Sequence, residues 1–204
     1  KIKKNINVQF SNQIRSDRIK IEEIREYHGY WSINNRNYIW LSNDEISPFL
    51  KDFFTVSGLE NKKIKKFNSN YNSIQDNYYN IPLIIHSSIE TTDLIKENQK
   101  NIYSFEVGKL IGLQSNLFDE TKRVNDIEIN FTNEYVYNIR IKIPRGFELT
   151  DISALNMTSK YSAVSGEVIA YFHSKANIEG RFLLIEISEY YKSLYYDKSR
   201  YNDF

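Results

Sequence analysis

The chain has 204 residues and formal charges that nearly cancel, 27 basic against 26 acidic. That length allows one large domain or two small ones. The absence of Cys excludes disulfides, thiolate metal sites and cysteine nucleophiles within the chain, and the charge balance argues against an extended nucleic-acid footprint. No apolar run reaches the roughly 18 residues of a membrane-spanning helix.

Residue type sets the fold class. Tyr 16 and Phe 12 stand against Gly 7 and Pro 3, and Ile and Asn are abundant. Ile, Tyr and Phe favour strands, and Asn favours turns. Apolar and polar residues alternate through much of the chain, which is the pattern of strands with one wet face.

In chain order, Ile6, Val8 and Phe10 share one face of a first strand. A charged second strand follows at 18–24, with Ile19 and Ile21 on one side. Residues 27–41 read as a hairpin turning at Asn34-Asn35, since Asn tolerates the positive φ of a type I′ turn. That register puts Trp31, Tyr38 and Trp40 on one aromatic face with Gly29 leaving space beside it, a candidate surface for a glycan or peptide.

Ser42 to Glu45 has the capping-box pattern. A short helix is predicted over about 47–56, with Ser47 as N-cap, Pro48 at its first position and Phe49, Leu50, Phe53 and Phe54 at helical spacing. The alternative to a binding face is that the Trp31, Tyr38 and Trp40 row packs inward on these phenylalanines. The Lys62, Lys63, Lys65 and Lys66 cluster reads as the guard of an edge strand. A strand is predicted at 81–89 and a second hairpin at 94–98 and 102–107, turning near Lys100-Asn101.

Residues 110–121 look like a connector, giving two β sub-domains, 1–112 and 113–204. In the second, Ile127 and Ile129 alternate in one strand, and Tyr135, Tyr137, Ile139, Ile141 and Ile143 in the next. An odd-length loop between them places both sets on one core. Strands at 164–173 and 181–191 follow, with a turn at 176–180, and a helix is expected to start near Asp197. The fold class is all-β: an antiparallel, sandwich-like arrangement with one short helix in the first half.

Chemistry-bearing motifs are sparse. His28, His86 and His173 lack the close spacing of metal ligands, and no G-x-S-x-G or glycine-rich phosphate loop occurs. Glu186 and Glu189 beside Tyr190 and Tyr191 are the only carboxylates in an unusual setting, and they read as solvated strand residues. No cofactor is implied.

The segments GKLIGLQ at 108–114, RVNDIEI at 123–129 and IPRGFEL at 143–149 occur in that order. They are followed by FHS at 172–174, EYY at 189–191, YYD at 195–197 and Tyr201. This order resembles the C-terminal region of large Gram-negative envelope proteins related to transglutaminases, most closely over 105–204 and more loosely over 1–104. The resemblance implies a periplasmic or envelope location, a fragment of a longer polypeptide, and a catalytic Cys-His-Asp domain upstream. With no Cys to carry a nucleophile, it implies a non-catalytic accessory β-module whose partners are other domains of the same polypeptide.

Overall fold

The computed structural model describes residues 1–10, 18–41, 47–56, 58–71, 81–112 and 125–198. The chain is all-β with a short early helix. Its centre is one mixed sheet of eight strands. From one edge to the other these are β3 (Lys62–Ser69), β4 (Leu83–Thr91), β2 (Ile19–Tyr27), β1 (Ile2–Phe10), β8 (Asn133–Lys142), β11 (Phe182–Tyr191), β10 (Val168–Glu179) and β9 (Met157–Ser162). All neighbours are antiparallel except β1 and β8, which run parallel from Ile2 opposite Tyr135 to Gln9 opposite Lys142. The strands expected on either side of residue 112 therefore meet in a single sheet. Two small sheets accompany it, β5 (Ile95–Gln99) with β6 (Ile102–Phe105), and β7 (Ile127–Glu128) with β12 (Tyr195–Tyr196).

Alternation decides which face is buried. Ile6 and Val8 of β1, Ile19 and Ile21 of β2, Ile139 and Ile141 of β8, and Leu183, Ile185 and Ile187 of β11 all point inward. The intervening Lys, Glu and Asn residues point to the other, wetter face, where Asn138 Nδ2 donates to Asn5 Oδ1 at 2.9 Å across the parallel pair. The inner face is covered by Val56 and Leu59, the β5–β6 hairpin, α3 (Gly108–Ile111) and the 3-10 turn Ser153–Leu155. At its other end it is covered by Ile39 of α1 (Tyr30–Leu41) and by Leu50 and Phe54 beside α2 (Pro48–Phe53).

Several expectations hold in detail. The Ser47 side chain accepts from Leu50 N at 3.3 Å and Pro48 opens α2. The β5–β6 hairpin turns at Lys100 and at Asn101, whose φ is 64°. The lysine-bearing strand β3 is a sheet edge, and a bulge lies between Ile64 and Lys66. The turn expected at 176–180 is tighter: β10 continues to Glu179, and Gly180 at φ 59° with Arg181 makes a two-residue turn.

Three expectations are corrected. The 27–41 hairpin is a helix, α1, entered through Gly29 at φ 57°. Ser32 and Ile33 donate their amides to Gly29 O, and Asn35 Nδ2 donates to Trp31 O at 2.7 Å. The strand at 127–131 does not pair with β8, whose two edges are already taken by β1 and β11. It pairs with β12 instead, and Ile127 and Ile129 pack on Tyr161, Ala170 and Tyr196, away from Tyr137, Ile139 and Ile141. Ile143 is only half-buried. The capping box at 42–45 lies outside the described residues, as does nearly all of the helix expected after Asp197.

Burial fixes the cost of truncation. Ile141 is 4% exposed in the main core, so Ile141→Ala is expected to destabilise by about 2–5 kcal/mol. Val164, 95% exposed, serves as the control, and Val164→Ala should shift stability by less than about 0.5 kcal/mol. Urea unfolding checks both, and similar midpoints for the two variants would contradict the assignment of the core.

Candidate functional site

The helix α1 is built inside-out, which explains why its sequence reads as something else. Its buried positions are Ser32, Asn35, Arg36 and Ile39, the i, i+3, i+4, i+7 spacing of a helix face, but three of the four are polar. Hydrogen bonds do the docking. Ser32 Oγ donates to Ile81 O at 3.0 Å and accepts from Leu83 N and Arg36 Nε, both at 3.1 Å. Arg36 Nη2 donates to Ile81 O at 3.1 Å and Pro82 O at 3.0 Å. These bonds satisfy carbonyls at the entry to β4 and compensate the burial of a guanidinium that is 1% exposed.

The aromatic residues of α1 are therefore displaced outward, and they do not form one face. Trp31 is half-buried. Its indole Nε1 donates to Asn133 Oδ1 at 3.1 Å, and its ring meets Phe131 edge-on at 5.3 Å. Trp31 thus staples α1 to the start of β8. Trp40 lies nine positions later, which at about 100° per residue is the opposite side of the helix. Tyr38 packs against Phe53 of α2 with centroids 6.0 Å apart. So the ring contact with the α2 phenylalanines is made by Tyr38, at the surface, while Trp31 packs on the buried cluster that includes Phe54. Tyr38 is 52% exposed, Trp40 50%, Phe53 48% and Phe49 76%.

The outward side chains of α1 are Tyr30, Asn34, Asn37, Tyr38 and Trp40, none of them charged. A solvated helix ordinarily carries charge there. Phe49 and Phe53, one turn apart on α2, extend the row of exposed rings, and Asp52 beside them is paired with Lys62. Aromatic rings and amides without charge are the composition of recognition surfaces.

A second unusual feature lies inside. On the buried face, β1 and β2 carry Lys4 opposite Arg25 and Ile6 opposite Glu23, and Lys4 is also opposite Tyr137 of β8. Arg25 grips the Glu23 carboxylate with Nε and Nη2 at 2.9 and 3.0 Å, and its Nη1 donates to Tyr27 Oη at 3.1 Å. Lys4 Nζ donates to Ile111 O at 2.8 Å and sits 5.1 Å from the centre of the Tyr137 ring. Further along the sheet, Tyr135 and Tyr137 stack, and Tyr191 Oη donates to Glu189 Oε1 at 2.6 Å. The band runs between the two apolar clusters of the inner face. It was legible in principle, because Lys4 alternates with Ile2 and Ile6, and Glu23 and Arg25 follow Ile21 on the buried parity.

Burial shapes the titration of this band. It pulls the Lys4 amine down to about 7, helped by Arg25 and opposed by Glu23. Burial also works against the Arg25 charge, but Glu23 and Tyr27 together raise its pKa above the usual value. Burial and the Glu189 charge push Tyr137 up, and burial with the hydrogen bond to Glu189 does the same for Tyr191. Each charge is held by a neighbour, so the band acts as internal strutting that ties α3 and the central strands together.

The remaining sequence candidates stay apart. His28 lies 3.3 Å from Glu26, His173 Nδ1 is 2.9 Å from Thr158 Oγ1, and His86 stands exposed on β4. Lys62 pairs with Asp52 at 2.9 Å and Lys65 with Glu90 at 2.9 Å. Glu186 and Glu189 fall on opposite faces of β11 by strand parity. Among the described residues no three His, Asp or Glu side chains gather where a metal could bind. No family model, curated protein or solved structure matches the chain.

Two predictions follow from the band. Between about pH 7 and 10 the native state has released the Lys4 proton while the unfolded chain, with a pKa of 10.5, still holds it. Stability should therefore rise with pH over that window, then fall above about pH 10 as the raised tyrosines favour the protonated native form. Calorimetric melting across the range checks this, and Lys4→Met should remove the rise; an equal rise in the variant would contradict the assignment. Replacing Glu23 by Gln leaves the Arg25 charge buried without its partner and should destabilise by about 3–5 kcal/mol. Guanidinium melts read that value directly.

Proposed function

We propose that this chain is a non-catalytic accessory β-module of a transglutaminase-like envelope protein, and that it binds a neighbouring domain of the same polypeptide through the outward face of α1 and α2. The motif order from 108 to 201 supports the family reading. The observation that carries the binding reading is the uncharged outer surface of α1, with Tyr38 and Trp40 about half exposed and Phe49 more so. A helix docked by buried Ser32 and Arg36 is free to spend its aromatics on another surface. Exposed Tyr and Trp beside Asn34 and Asn37 also suit a neutral glycan, the reading of second rank.

A photo-crosslinking residue placed at Trp40 or Phe49 of the natural gene product tests the proposal. Cross-links from both positions to another domain of that polypeptide are expected, with none from Val164, which is 95% exposed elsewhere on the chain. Absence of such cross-links, together with saturable binding of a neutral oligosaccharide that Trp40→Ala abolishes, would replace the domain partner with a glycan.

A further inference from the structure

The two edges of the large sheet are treated differently. At β3 the edge carries Lys62, Lys63, Lys65 and Lys66 and a bulge, devices that keep other strands away. At β9 the sequence MTSKYS has one lysine and no proline, and Met157, Thr158, Ser159 and Lys160 are all exposed. Among the described residues only β10 pairs with β9. Every second residue of such an edge turns its N–H and C=O away from the sheet, ready for another strand.

A cavity of ≈ 150 Å³ lies against this edge, lined by Ser159, Tyr161, Ala170, Phe172 and Tyr191, with Lys160 and Tyr171 beside them. The register places those first five on one face of β9, β10 and β11: Ser159 is opposite Phe172, and Ala170 opposite both Tyr161 and Tyr191. The volume suits one apolar side chain of Leu or Phe size. The opposite face carries charges of both signs, with Lys160 at the edge itself and Glu134 and Glu186 on the strands behind it. Lys160 Nζ stands 5.9 Å from the Tyr171 ring and Lys192 Nζ 4.8 Å from the Tyr190 ring. Neither lysine makes an ion pair among the described residues.

We infer that β9 is a peptide-binding edge: an extended segment of a separate polypeptide adds to it as a ninth strand, seats one apolar side chain in the cavity, and presents an acidic side chain to Lys160. Strand addition supplies main-chain hydrogen bonds, and the alternation of faces supplies selectivity. A second copy of this chain is the weaker occupant, because self-pairing centred on Lys160 sets like charges opposite each other. This site is separate from the α1–α2 face and stands or falls independently of it.

Selection of a displayed library of random ten-residue peptides on the 204-residue chain tests the inference. Enriched peptides should carry one large apolar residue flanked on alternate positions by Asp or Glu. Ser159→Phe, which fills the cavity from an exposed position, should weaken them at least about tenfold, and Lys160→Glu should weaken the acidic ones. Hydrogen exchange on the bound complex should show new protection in 157–162. An empty selection overturns the inference, as do peptides indifferent to both variants. A dimer dissolved by Ser159→Phe without peptide binding would also overturn it, in favour of self-pairing.

Discussion

The parallel pairing of β1 with β8 is the constraint on which the rest of the molecule depends. Parallel neighbours cannot be joined by a tight turn, so the chain between them must make a long excursion. Among the described residues that excursion holds β2 to β7 and the helices α1 to α3. With β1 in place, β8 has no free edge and β7 must find β12. The seam also sets the polar band, because it brings Lys4 between Arg25 and Tyr137. A charge there would be costly without a partner, so Glu23, Tyr27 and the Ile111 carbonyl all take positions around it.

The same economy of polar contacts shapes the surface. The α1 helix is fixed by a serine and an arginine on backbone carbonyls, which leaves its rings outside. Trp31 alone is drawn in, because Asn133 and Phe131 are waiting at the mouth of β8. The chain thus presents an uncharged aromatic surface at one end and an unguarded strand edge at the other, on a sheet whose interior is closed.

Much of the sheet was legible because period-2 alternation survives wherever one face is dry. Ile6 and Val8, Ile19 and Ile21, and Tyr137 to Ile141 all bury as their spacing implies. The short helix α2 was legible from Ser47 and Pro48, because capping chemistry is local. The helix α1 was not. Its buried face is Ser32, Asn35 and Arg36, so hydropathy pointed the wrong way, and Asn34-Asn35 imitated a turn. The partner of β7 was not legible either, since strand pairing depends on which edges remain free. For the candidate site, sequence picked out Tyr38 and Trp40 as ring-bearing surface positions but grouped them with Trp31 in a row that a helix cannot make.

The β1–β8 seam makes both halves of the sheet one cooperative structure. Native-state hydrogen exchange measures this most directly, by comparing opening free energies for amides of β2 and β4 with those of β11 and β10. The slowest amides on both sides should open with the same free energy and the same denaturant dependence. Slow exchange in β8, β10 and β11 that persists while β1, β2 and β4 open in a separate, cheaper step would contradict it.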